Sequence, residues 1–408
     1  MKVVVAPDSF KESLTAAQVT RALAEGVLEA AGDAQVDLCP MADGGEGTVE
    51  AMVAATDGSF RSADVFDPIG RQVRARFGLL GTPSGPGLPG LIGLLGAMDR
   101  TEGEGEYVET ERGAVAVVEM AAASGLALVP ADLRDPMTTT TFGTGELIRA
   151  ALDVGAREII IGVGGSGTVD GGCGCAQALG VTFLDDKGQP VVCGLAGGGL
   201  AEVERIDLSD RDPRLDEVDI RVACDVTNPL TGPQGAARVY GPQKGATPEQ
   251  VERLEVNLKH LAEVIRRELG LDVESMAGAG AAGGLGAGLA AFAGATLERG
   301  VDLVARTVRL SDRLQGADLC LTGEGCFDAS SRHGKATAGV AELARAAGEP
   351  VACIAGQIGE NAPHELFDIV YPLVGGPVTV EDAWAKTEAL LAQRAATAVR
   401  RILSRREG

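Results

Sequence analysis

Residues 159–174 read IIIGVGGSGTVDGGCG, and the rest of the chain is best understood outward from them. Three branched aliphatics run into a loop where Gly162, Gly164, Gly165, Gly167, Gly171, Gly172 and Gly174 leave backbone N–H groups uncovered, so another molecule can approach the main chain closely. Ser166 and Thr168 add hydroxyls to this lining, and Asp170 sets a carboxylate beside it. A strand that ends in such a loop predicts an anion site, with phosphate the leading candidate. The spacing Gly162–Gly164–Gly167 also fits a dinucleotide fingerprint, with Asp185 and Asp186 of VTFLDD standing where a ribose-binding acid would sit. Against that reading, TVDGGCG delays the helix, since glycines are poor helix formers. A second GxGxxG at Gly278, Gly280 and Gly283 shows how readily the pattern arises in a chain with 58 glycines.

A chain of 408 residues exceeds one ordinary core and predicts two domains. An apolar content of 45% is ample for burial, and 3% aromatics implies a core of alanine, valine and leucine. No run approaches the roughly 18 apolar residues of a membrane span, and MKVVVAPDSF lacks the form of a targeting peptide, so the expectation is a soluble, cytoplasmic protein. A net charge of −22 argues against nucleic acid or an anionic membrane as partner. A small anionic ligand must therefore meet its cations locally. The eight cysteines are scattered and read as reduced thiols; Cys173 and Cys175 form the one close pair, a weak zinc signal.

Along the chain, KVVVAPDS predicts a buried strand, and Thr15 an N-cap for a helix through Ala31 with Val19, Leu23 and Val27 on one face. Asp8, Ser9 and Lys11 then fall at a strand's carboxyl end, the edge where open α/β sheets bind ligands. VDLCPM is a second strand, followed by ADGGEGT and a helix from Thr48. Asp43 and Glu46 on this glycine hinge are costly to place together without a cation between them, which points to Mg²⁺ or to substrate hydroxyls. From Arg61 short alternating segments predict antiparallel strands, and Gly81–Glu106 has the composition of a solvated loop. Thr144 is a candidate helix cap. IRVACDVTNPL is a strand ending on Asp225; Lys244 sits in a turn as a phosphate- or carboxylate-reaching lysine would; Pro248–Gly270 is an amphipathic helix. ADLCLTGEGCFD repeats the pattern of strand and polar edge with Glu324 and Asp328; Lys335 follows, His333 reads as a surface residue, and Val380–Arg406 closes the chain as one amphipathic helix. The two ends thus supply about five parallel βα units, and the middle supplies a different, mixed architecture.

The ordered segments APDSFKESLTA, MADGGEGT, FGTGELI, IGVGGSGTVDGGCG, CDVTNPLTGPQGAARVYGPQKGAT, GAGAAGGLG and TGEGCFD resemble the bacterial glycerate kinase family of the first type over nearly the whole length. The resemblance implies an α/β fold: a flavodoxin-like parallel-sheet domain from residues 1–60 and 290–408, with a mixed α+β domain, 61–289, inserted. It implies ATP- and Mg²⁺-dependent phosphorylation of D-glycerate, typically at the 2-hydroxyl, with the 3-hydroxyl the alternative. Departures are the longer Gly81–Glu106 insertion, Cys326 and Ser330 in place of the family's arginine and glutamine, and GKAT in place of a GK followed by proline.

Phosphoryl transfer needs alignment and charge neutralisation more than covalent chemistry. The expected parts are a nucleotide site from Gly164, Gly165, Ser166, Gly167 and Thr168 with Lys244, Glu324 and Lys335, and a metal held by Asp43 or Asp225. Asp170 or Asp8 would orient the glycerate hydroxyl, Lys11 would face its carboxylate, and Ser9 and Glu46 complete the substrate set. A nicotinamide-dependent oxidoreductase using Gly162–Asp186 is the rival class. A homodimer is the oligomeric form to test for.

Overall fold

The computed structural model describes residues 1–406 apart from 12, 82–112, 333–334 and 376–377. The predicted loop Gly81–Glu106 therefore lies outside the described residues except for Gly81, and so does His333. Among the described residues thirteen strands are formed: β1 (Lys2–Val5), β2 (Gln35–Leu38), β3 (Ser59–Phe66), β4 (Gln72–Leu79), β5 (Ala114–Glu119), β6 (Ala156–Gly162), β7 (Thr182–Leu184), β8 (Arg205–Asp207), β9 (Asp219–Ala223), β10 (Thr296–Glu298), β11 (Leu319–Phe327), β12 (Val351–Ile358) and β13 (Ile369–Pro372).

The ends of the chain build a five-stranded sheet in the order β13-β12-β11-β1-β2, parallel throughout. This is the flavodoxin-like order, in which the direction of winding reverses between the first strand and the third. Val3, Val4 and Val5 are wholly buried, as a central parallel strand covered on both faces requires. The second sheet runs β10-β9-β6-β5-β4-β3, with β3, β4 and β5 antiparallel and the remainder parallel. β10 pairs with β9, so residues 296–298 belong to this mixed sheet.

Helix Ala16–Ala30 starts in a capping box: the Thr15 hydroxyl accepts from Gln18 N–H at 3.3 Å and the Gln18 side chain accepts from Thr15 N–H at 2.8 Å. It packs with the closing helix Thr387–Arg406 on one face of the first sheet, around Leu23, Val27, Leu391 and Val399. The opposite face shares its core with the second sheet, because Val4 and Cys320 cluster with Val117, Ile160 and Ala223 through helices Thr48–Thr56 and Gly300–Thr307. Helix Pro248–Leu269 forms as expected, with Leu254, Leu258, Leu261 and Ile265 buried and Gly270 ending it at φ 70°.

Two element readings are corrected. The closing helix is two, Val380–Ala385 and Thr387–Arg406, broken at Lys386 with φ −132°. Thr144 does not cap its helix: Phe142–Asp153 begins before it, and the Thr144 hydroxyl is buried against Ser124 Oγ at 2.8 Å.

Candidate active site

The polar ends of β1, β2, β9 and β11 meet where the winding of the first sheet reverses. Asp8 follows β1; its N–H donates to Gly323 O at 2.9 Å, and its Oδ1 accepts from Ser9 N–H at 2.6 Å. Burial, and then the neighbouring Asp43 carboxylate, push the Asp8 carboxyl up to about 7. Asp43 follows β2, with Oδ1 accepting from Gly45 N–H at 3.1 Å. Asp225 follows β9 and accepts from Gly300 N–H at 2.9 Å; burial and Asp43 raise it, too, to about 7. Glu324 lies within β11, raised by burial although Lys335 Nζ donates to its Oε2 at 2.9 Å, and its Oε1 is buried without a partner. Three carboxylates therefore crowd Asp43 or its neighbours, and a cation is the natural relief of that repulsion.

Two chambers open at this point. One, of about 370 Å³, runs from Asp8, Glu324 and Lys335 to Phe10, Leu373 and Trp384. The other, of about 400 Å³, is walled by Gly164, Gly165 and Ser166 on one side and by Asp225, Tyr240 and Gln243 on the other. Lys11 and Asp43 line both. Gly44, Gly162 and Gly164 leave no room for a side chain, because the loops of ADGGEG and GVGGSG and the end of β9 pack closely here. A Cβ on Gly44 would lie 2.7 Å from Ala223 Cβ, and one on Gly164 would lie 2.8 Å from Gly45 Cα. Gly165 adopts φ 72°, a left-handed conformation that favours glycine.

Of the residues expected at the site, Asp8, Ser9, Lys11, Asp43, Asp225, Glu324, Lys335, Gly164, Gly165 and Ser166 line this cleft. The others are elsewhere. Asp170 is wholly buried, and its two oxygens accept from Thr141 N–H and Oγ, Gly172 N–H and Gly174 N–H; it fixes the glycine loop from behind. Lys244, expected to reach the ligand, is 1% exposed and lines neither chamber; its Nζ donates to Ser166 Oγ at 2.6 Å and Thr168 O at 2.7 Å. It too supports the loop from beneath, and burial lowers its ammonium to about 7. Gly167 and Thr168 are tied into that support, Gly167 through Ser124 O and Thr139 Oγ1, and Glu46 is exposed outside both chambers.

The dinucleotide reading loses its basis. β6 is flanked by β5 and β9, while the strand of VTFLDD, β7, pairs antiparallel with β8 in a separate two-stranded ribbon. Asp185 and Asp186 lie in the tight turn that follows β7, where Asp185 N–H donates to Gln189 O.

A profile of the glycerate kinase family matches residues 3–403. The chain belongs to the glycerate kinase family. Similar proteins are Glycerate 2-kinase of Escherichia coli strain K12, 47% identical over 387 residues (94% of this chain, 93% of that one), and Glycerate kinase of Bacillus subtilis strain 168, 45% identical over the same coverage. A crystal structure from Salmonella typhimurium LT2, provisionally named glycerate kinase 2, superposes with a TM-score of 0.85 at 44% identity over 100% of both chains.

Within this glycerate kinase family fold, Phe10, Gln357, Trp384, Tyr240 and Gln243 line the cleft without having been singled out from the sequence. In YGPQKG the lysine drew attention, whereas the backbone turns Lys244 inward and sets Gln243 on the chamber wall. A lone tryptophan at an amphipathic position was the one signal for Trp384. Among the described residues no group of three or more His, Cys, Asp or Glu side chains is set to hold a metal by itself, and no helix is long and apolar enough to cross a membrane. Asp43 with one of its flanking carboxylates, Asp8 or Asp225, fits Mg²⁺ as it is usually bound, by one or two carboxylates with water and phosphate completing the shell.

Proposed function

We propose that the chain transfers the γ-phosphoryl group of ATP to D-glycerate with Mg²⁺, at the 2-hydroxyl, giving 2-phosphoglycerate and ADP. The observation that carries this reading is the convergence of Asp8 and Asp225 on Asp43, beside Lys11, at the point where two chambers meet. Each chamber takes one reactant, and the reacting atoms come together between them. The 47% identical Escherichia coli protein is named a 2-kinase, which supports the choice of hydroxyl.

When bound, Mg²⁺ would neutralise charge on the transferring phosphoryl group. Asp43 and the flanking carboxylate on the nucleotide side would hold it. The carboxylate on the acceptor side, poised near neutrality, receives the hydroxyl proton. Lys11 stabilises the equatorial charge, and uncovered amides of the glycine loop hold an anionic group in line.

The test is ADP release coupled to D-glycerate, L-glycerate and other hydroxy acids, with NMR of the product to separate 2- from 3-phosphate. Asp43→Asn and Asp225→Asn should each lower kcat by about a hundredfold or more, as lost transition-state charge contacts do. If both keep turnover within about threefold of the parent, the carboxylate cluster has no part in transfer.

A further inference from the structure

We infer that the chamber beside Trp384 takes the purine base of the nucleoside triphosphate, and that the glycine loop across the cleft takes the acceptor acid. The inference rests on the kinase reading above and decides between its two chambers. Trp384, the single tryptophan of the chain, stands on helix Val380–Ala385 with 53% of its surface in water, at the rim of the 370 Å³ chamber. Phe10, Leu373 and Val380 give that chamber apolar walls, and Gln357 gives it an amide edge. An exposed indole over apolar walls with one hydrogen-bonding amide suits a flat heteroaromatic ring. A three-carbon acid, polar on every carbon, would gain nothing from the walls and would leave most of the space unfilled.

The charge distribution points the same way. A base against Trp384 directs its phosphates past Lys335 and Lys11 to Asp43, where the second chamber begins. Glu324, whose Oε1 is buried without a partner beside Lys335, then stands along the phosphate path, where an ion or a water accompanying the phosphates would satisfy it.

The second chamber suits the smaller reactant. Gly164, Gly165 and Ser166 bring main chain to its wall, with Gly165 in a left-handed conformation at φ 72°, and the Ser166 hydroxyl beside them suits a group of carboxylate size. Ser166 is fixed there by Lys244. Asp225 falls on the acceptor side as the group that meets the hydroxyl, and Asp8 falls on the phosphate side with Asp43.

Trp384 reports on its own chamber. Titration of the intact protein with ADP should quench or shift the tryptophan emission, and D-glycerate alone should leave it unchanged. Trp384→Ala should raise KM for ATP by roughly tenfold or more, the loss of one base–aromatic stack, and move KM for D-glycerate by less than about threefold. Trp384→Phe should restore most of the nucleotide affinity; because the side chain is half in water, neither change threatens folding. An emission that stays constant while calorimetry shows ADP saturating the protein overturns the assignment, as does Trp384→Ala raising KM for the acid and not for the nucleotide. The kinase reading fails separately: if no hydroxy acid elicits ADP release, that reading falls, while quenching by ADP in the same protein still supports the base in this chamber.

Discussion

Lys244 shows how a residue type misleads when its direction is unknown. Read in GPQKG, it looks like a lysine that reaches for phosphate or carboxylate; folded, it is a buried amine whose Nζ donates to Ser166 Oγ and Thr168 O. Its folded value near 7 lies below its ordinary 10.5, so the unfolded chain binds more protons between those limits and stability rises with pH across that window. Lys244→Met removes the titration and leaves two oxygens without their donor, a loss of about 1–3 kcal/mol. Urea denaturation should therefore show the parent's advantage over the variant widening from about pH 7 to about pH 10. A gap that stays constant would mean that the buried amine does not titrate there. Asp170 carries a similar lesson, since four donors from Thr141, Gly172 and Gly174 make it a strut of the loop. Residue chemistry at the strand ends was legible, because Asp8, Asp43, Asp225 and Glu324 each follow or end a clear aliphatic run. Which way a side chain turns within a glycine-rich loop was not, because such loops have no periodicity from which to read a face.

The elements that position the site were mostly written in the sequence: buried valine runs, a Thr–Gln capping box, a long amphipathic helix. Helix Thr48–Thr56 held a partner that no local pattern announced. Its start receives the half-buried Glu119 from the end of β5, whose Oε1 accepts from Val49 N–H at 2.8 Å. Burial lifts this carboxyl to about 7, while its hydrogen bonds from Val49 and Gly47 oppose the shift and Glu50 and Glu46 add to it. The folded chain thus binds more protons than the unfolded one between 4.5 and about 7, and the stability this contributes below 4.5 is lost as pH rises through 7. Glu119→Gln keeps an oxygen for Val49 and does not titrate. Its melting temperature should rise relative to the parent as the pH is raised from about 4.5 to about 8, and a falling difference would show that the charge is needed at the helix start. The break at Lys386 was illegible for a different reason: apolar spacing runs on through it, and only tertiary contact sets Trp384 toward the cleft while Thr387 bonds back to Ala383 O.

At the scale of the molecule the two sheets are not independent lobes. Val4 and Cys320 of one share a single core with Val117, Ile160 and Ala223 of the other, and the glycine loops lock the same junction through backbone contact. A shared apolar core argues against free hinge motion between the sheets, so the chambers are held at fixed separation. Heat should accordingly unfold the chain in one transition with calorimetric and van't Hoff enthalpies that agree, whereas two resolved transitions would show that the core is divided. Composition indicated two architectures, one nested in the other, yet it could not reveal that they share an interior, since alanine and valine pack equally well in one core or in two. The interleaving also dictates an order of manufacture. β1 leaves the ribosome long before β11, its neighbour in the sheet: Ala6 and Thr322, bonded to each other, are 316 positions apart. The nascent chain must carry an unfinished sheet edge until β11 emerges, so the slow, aggregation-exposed stage of its life falls in the interval between the two strands.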